Sequence, residues 1–146
     1  MRCVEKHTLE FKALLCPVVA AESRAIAKLR STFLENRVGR EDTAAKSRKD
    51  EFNRLLKIQY RHTIYLAVVS RRFLDAFPFI REVDASEHSD YDKLIIIMTV
   101  VNIPPGEIAN LIESNPQSIK TLQHRHREFI DGLIISSANT RLPDVQ

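Results

Sequence analysis

Residues 104–127 read PPGEIANLIESNPQSIKTLQHRHR, and this stretch decides the fold. Proline is tolerated in the first turn of a helix but not in its interior, so the proline pair predicts the start of a short helix over 105–112. Residues 113–115 (ESN) form a turn. Asn115 can then cap a longer helix that begins at Pro116 and continues to about residue 130. Two helices joined by a short turn are the outline of a helix-turn-helix.

The longer helix has an apolar and a polar face. Ile119 and Leu122 lie on the inner face, and the short helix contributes Ile108 and Ala109 to the same core. A helix that enters the major groove of DNA needs long polar side chains on its outer face, together with partners for the phosphates. The residues that we predict to contact DNA are Gln117, Ser118, Lys120, Thr121, His124, Arg125 and Arg127.

This segment resembles a known family. Residues 107–109 (EIA) and 118–121 (SIKT) are similar to the KEIA…SVKT pattern of LuxR-type helix-turn-helix regulators. The resemblance is closest to the Bacteroidetes branch, in which a helical or coiled-coil region precedes the C-terminal DNA-binding module. In that branch, an SPxSVxxxRxRxR pattern is similar to NPQSIKTLQHRHR at 115–127, in which Gln123 replaces the first arginine, and an F…YPxF segment is similar to RFLDAFPF at 72–79. The resemblance implies that Gln117, Lys120, Thr121 and His124 face the major groove and that Arg125 and Arg127 hold the DNA backbone.

Upstream of this module the apolar residues recur at helical spacing. They predict one long helix within 9–38 and a second within 43–80, whose apolar stripe is too broad for a lone exposed helix. Ser89 or Asp90 caps a third helix over 91–101. We therefore predict an all-α fold in which a long helical hairpin or coiled-coil-like region precedes a C-terminal helix-turn-helix bundle. The predicted organisation is a scaffold and dimerisation region at 1–88, a helix-turn-helix domain at 89–135 and a flexible tail at 136–146.

Composition excludes several classes of protein. Among 146 residues there are only 3 glycines, which argues against glycine-rich phosphate loops and turn-rich β folds. The longest apolar run, residues 94–101, is far shorter than the roughly 20 residues that cross a bilayer. Cys3 and Cys16 form no disulfide framework and favour free thiols, so we expect a cytoplasmic protein without membrane partners.

Other kinds of site find little support. Cys3 and His7 have i,i+4 spacing but no second pair follows them, and His124 and His126 point apart on a helix, so no metal or other cofactor is predicted. No residues suggest an enclosed acid–base pair or an activated nucleophile, so we expect no catalytic residue and no enzyme.

The charged residues are distributed unequally along the chain. The formal net charge is +3, yet residues 91–135 carry four basic and five acidic residues, while residues 1–90 have a surplus of four positive charges. DNA affinity depends on phosphate neutralisation, so this module must borrow cations from elsewhere. Exposed cations of the first two helices could supply part of the contact surface: Arg24, Lys28, Arg48, Lys49, Arg54 and Lys57.

Two functions remain open from the sequence. The first is a DNA-binding transcriptional regulator that acts as a homodimer on double-stranded DNA, with its two recognition helices about 34 Å apart. The alternative is an all-helical adaptor or regulatory subunit whose helix-turn-helix-shaped module binds another regulatory protein. The slight acidity of residues 91–135 favours the adaptor, and the pattern at 104–127 favours the regulator.

Overall fold

A computed structural model describes residues 2–35 and 43–141, with side chains for residues 7–33 and 46–137. These residues form eight helices and no strand, which confirms the all-α prediction. The helices are α1 (Arg2–Glu35), α2 (Thr43–Val68), α3 (Arg71–Ala76), α4 (Ile80–Ala85), α5 (Asp90–Val100), α6 (Pro105–Leu111), α7 (Pro116–Arg125) and α8 (Arg127–Arg141). Residues 36–42 of the predicted scaffold and 142–146 of the predicted tail lie outside the described residues.

The two long helices pack against each other in antiparallel order. Phe33, near the end of α1, stacks on Phe52, near the start of α2, with ring centroids 4.1 Å apart. Towards the other end of the pair, Phe11 meets the edges of Phe73 and Phe77 just after α2, at 5.5 and 5.4 Å. Thr8 donates a hydrogen bond to the carbonyl of Val101 at 2.5 Å, which ties α1 to the end of α5.

Helix α5 is the centre of the core. Its residues Leu94–Met98 are all at most 1% exposed. A helix that is apolar on every side must be surrounded by other elements, and α5 indeed contacts α2, α4, α6, α7 and α8. These contacts place the segment that resembles a DNA-binding module directly on the core of the protein.

The boundaries of three predicted elements differ in the structure. The periodic segment 43–80 is divided, because α2 ends at Val68 and Ser70 adopts an extended conformation before α3. The predicted helix 116–130 is interrupted at His126, the C-cap residue of α7, after which α8 begins. Residues 136–141, predicted to be part of a flexible tail, continue α8 as regular helix. Among the described helices, none combines the length and apolar character required to cross a membrane.

Candidate nucleic-acid interface

Helix α7 starts as its sequence predicts. The Asn115 side chain accepts a hydrogen bond from the Ser118 backbone N–H at 2.9 Å, and Pro116 occupies the first turn, where its missing N–H costs nothing. The buried side chains Ile119 and Leu122 hold the inner face of α7 in a core shared with α5, α6 and α8. The orientation of α7 is therefore fixed by packing on one side only.

The predicted DNA-contacting residues lie on the other side of α7 and at the start of α8. Ser118 is half-buried, and the remaining six are exposed: Gln117, Lys120, Thr121, His124, Arg125 and Arg127. The Thr121 hydroxyl donates a hydrogen bond to the Gln117 carbonyl at 2.9 Å. The hydroxyl oxygen of Thr121 can therefore still accept a hydrogen bond from a partner. The structure brings all seven predicted residues to one continuous segment, with the short polar side chains nearest to the start of α7.

A cluster from α2 holds the turn between α6 and α7, and sequence reasoning missed it. Arg61 donates from Nε to the Ile112 carbonyl and from Nη2 to the Glu113 carbonyl, both at 2.9 Å. Its guanidinium lies 4.5 Å from the centroid of the Tyr91 ring. The neighbouring Tyr60 hydroxyl donates to the Leu111 carbonyl at 2.6 Å. These contacts satisfy the carbonyls left open at the end of α6, so the scaffold positions the turn directly.

The charges of the module are distributed between two sides. Lys93 is buried and donates to the Asp84 carbonyl at 2.8 Å, so it is not available to a partner. On the side that faces α1, Glu107 pairs with Lys12 at 2.6 Å, and Glu113 lies 3.7 Å from Arg30. The exposed cations of the module, Lys120, Arg125 and Arg127, all belong to α7 and the first residue of α8.

The basic residues of α1 and α2 form a second exposed set. All six cations named above from these helices are exposed. A hydrogen bond from Arg54 to Glu51, at 3.0 Å from Nε, lowers the pKa of the Glu51 carboxyl and raises the pKa of Arg54. Arg54 is thus paired with a carboxylate of its own helix, whereas Lys49 and Lys57 line an open groove beside the stacked rings of Phe33 and Phe52.

The described residues also contain one group with the composition of a metal site. Ligand atoms of His88, Asp92 and His126 lie within 4.8 Å of one another, and all three residues are half-buried. The group joins the segment before α5, the first turn of α5 and the end of α7. Sequence reasoning could not predict this group, because residues 88 and 126 meet only through tertiary packing. Cys16 is exposed, and the Cys3 side chain lies outside the described residues.

No protein-family model, curated protein or solved structure matches this chain. The resemblance of residues 104–127 to LuxR-type modules therefore depends on the residues of that segment alone.

Proposed function

We propose that this protein is a transcriptional regulator that binds double-stranded DNA as a homodimer, with α7 in the major groove. The observation that carries the proposal is the division of α7 into two faces. Ile119 and Leu122 are buried, while the opposite face carries exposed Gln117, Lys120 and His124. A helix whose polar face is free of contacts with the rest of its own chain can enter a groove without rearrangement.

The side chains on this face suit different parts of DNA. Lysine can donate to the O6 and N7 acceptors of guanine, and glutamine can pair with the N7 and N6 groups of adenine. Lys120 and Gln117 are therefore assigned to base edges. Arg125 and Arg127 stand at the other end of the segment and are assigned to phosphates, which fix the register of the helix without reading sequence.

The homodimer is assigned to the outer face of α2. Leu55, Ile58 and Leu66 are each at least 50% exposed. At 100° per residue these three positions fall within an arc of about 80°, on the side of α2 that faces away from its buried residues. A second copy of the chain that covers this side of α2 would give a symmetric pair of α7 helices. In sedimentation experiments, we expect the parent chain to be a dimer and the Ile58→Asp variant to be a monomer.

The DNA proposal is tested by fluorescence anisotropy with a labelled duplex of random sequence at several low salt concentrations. Arg127→Ala should weaken binding and reduce the salt slope by about 0.9, because it removes one phosphate contact, and Lys120→Ala should weaken binding because it removes a cation from the groove. Both side chains are exposed, so the melting temperature should not change. Arg81→Ala, an exposed cation on α4, is the matched control. Equal binding by all four proteins would exclude α7 as the DNA contact.

The adaptor function is favoured by a different observation, the exposed apolar residues Ile134 and Ile135 on α8, which are 44% and 60% exposed. Apolar side chains at a surface suit a protein partner rather than a phosphate backbone. An adaptor would not bind the duplex measurably even at low salt, and it would lose its protein partner in an Ile135→Asp variant. If Lys49→Ala and Lys57→Ala change the salt slope while the α7 variants do not, the DNA contacts belong to the helical scaffold instead.

A further inference from the structure

A cluster of two histidines and one aspartate lies at the junction of three elements. His126 is the C-cap residue of α7, Asp92 is in the first turn of α5, and His88 lies in the segment between α4 and α5. Nε2 of His126 is 3.0 Å from Oδ2 of Asp92. The His88 ring meets the edge of the His126 ring, with centroids 4.4 Å apart.

We propose that His88, Asp92 and His126 bind a divalent transition-metal ion, with Zn²⁺ as the best-suited ion. Two imidazoles and one carboxylate are a ligand set that zinc uses where it keeps an open fourth position. Imidazole ligands favour zinc and its neighbours over Mg²⁺ and Ca²⁺, which prefer oxygen ligands. The fourth position would hold water or a group from a partner.

The geometry requires only a small adjustment. Zinc–ligand bonds of about 2.0–2.1 Å in a tetrahedron place the ligand atoms about 3.3 Å apart. The His126 and Asp92 atoms already lie at 3.0 Å, and no pair in the group exceeds 4.8 Å. His88 is not in a helix, so rotation of its side chain can close the remaining gap without moving α5 or α7.

The surroundings of the cluster also suit a metal. The side-chain exposure is 13% for His126 and 20% for Asp92, so bulk water has limited access. Phe129 packs beside His88, with ring centroids 5.4 Å apart, and contributes an apolar wall.

The direct test is a titration of the untagged full chain with Co²⁺, followed by displacement with Zn²⁺. One Co²⁺ per chain should bind with a visible absorption band typical of low coordination number, and Zn²⁺ should remove that band. His88→Ala and Asp92→Asn should each lower the affinity by tenfold or more, since even the loss of an outer-shell partner costs about 10–100-fold. His62→Ala and His124→Ala, which remove exposed histidines elsewhere, should leave it within about twofold.

The choice of variants keeps the result interpretable. His88 contributes no helix or cap, so His88→Ala should keep the circular dichroism spectrum of the metal-free chain, which shows that the variant folds. Equal affinity in His88→Ala, Asp92→Asn and the parent chain would overturn the proposal. A sulfur-to-cobalt charge-transfer band would also overturn it, because the metal would then be held by cysteine. Failure of the parent chain to bind either Co²⁺ or Zn²⁺ at micromolar concentrations would likewise overturn the proposal.

One consequence rests on the proposed function as well as on the metal. A bound Zn²⁺ would add two positive charges beside Arg125 and Arg127 and change the net charge of residues 91–135 from −1 to +1. DNA binding by the parent chain should then strengthen when Zn²⁺ is added, and His88→Ala should remove this gain. If the titration succeeds and the gain is missing, the metal site stands and only its coupling to DNA is excluded.

Discussion

Arg61 offers a quantitative test of how the scaffold holds the turn before α7. Its guanidinium donates to the Ile112 and Glu113 carbonyls and lies over the Tyr91 ring. A hydrogen bond to a charged group contributes about 1.5–3 kcal/mol, and a cation–π contact at a partly exposed site about 0.5–1 kcal/mol. Arg61 is half-buried, so water can replace part of what is lost. We expect Arg61→Ala to lower the free energy of unfolding by about 3 kcal/mol.

The assay is urea denaturation at neutral pH, followed by circular dichroism. Lys57→Ala is the matched control, because it removes another cation of α2, one that is exposed, and should change the free energy of unfolding by no more than about 0.5 kcal/mol. Arg61→Lys keeps the charge but cannot reach two carbonyls in one plane, so it should recover less than half of the loss. If Arg61→Ala is as stable as the control, the turn is held by the packing of α6 and α7 alone.

Three further predictions follow from single residues. Asn102 has a φ of 64°, a conformation that costs other residues about 1–2 kcal/mol, so Asn102→Ala should lower the free energy of unfolding by about 1 kcal/mol in urea denaturation while Asn102→Gly does not. Burial, followed by the hydrogen bond to Asp84, raises the pKa of the Tyr65 hydroxyl above its ordinary value of 10.0. The unfolded chain therefore releases this proton at a lower pH than the folded chain does. The stabilisation from this group is complete below pH 10 and is lost as the pH rises further. Tyr65→Phe should flatten this alkaline decline. Ile96→Ala should lower the free energy of unfolding by about 2–5 kcal/mol, because it leaves a cavity in the buried α5 helix, whereas Ile134→Ala, at an exposed position, should change it by nearly zero. Equal thermal midpoints for the two variants would contradict the central position of α5.

Helix starts were predictable because their signals are local. Asn115 and Ser89 each bond to a backbone N–H three residues further on, a contact that needs only the correct residue at one position. Helix α5 was predictable because Ser89 marks its start and its apolar residues lie within one short stretch of sequence. Its position at the centre of the core was not, since a short apolar run does not reveal how many elements surround it.

The break at His126 was not predictable from nearby residues. No glycine or proline marks it, and the backbone still bonds across it: His126 donates to the Leu122 carbonyl at 3.0 Å, and Ile130 donates to the His126 carbonyl at 2.9 Å. The interruption coincides with the contact of His126 with Asp92 and His88, which are distant in sequence. For the same reason, neither the histidine cluster nor the Arg61 contacts leave a pattern in any short window of the chain.

The net charge summed along residues 91–135 differs from the charge that their surface presents to a partner. Electrostatic interactions between exposed groups fade beyond a Debye length of about 8–10 Å, so the position of each charge matters more than the sum. Lys93 is buried, while Glu107 and Glu113 are matched by Lys12 and Arg30 of α1.

Apart from half-buried Asp92 of α5, which contacts His126, the ionic side chains of the module that have no partner on the scaffold lie on α7 and α8. They comprise three cations, Lys120, Arg125 and Arg127, and two carboxylates, Glu128 and Asp131. Asp131 lies 4.0 Å from Arg127, which weakens that cation most. A segment with a formal charge of −1 therefore presents a mildly positive surface at α7, because α1 supplies the counter-charges for its acidic residues. Lys12 and Arg30 of α1 thus neutralise two carboxylates on the inner side of the module, so that the exposed cations of α7 stay available for the proposed contact with DNA.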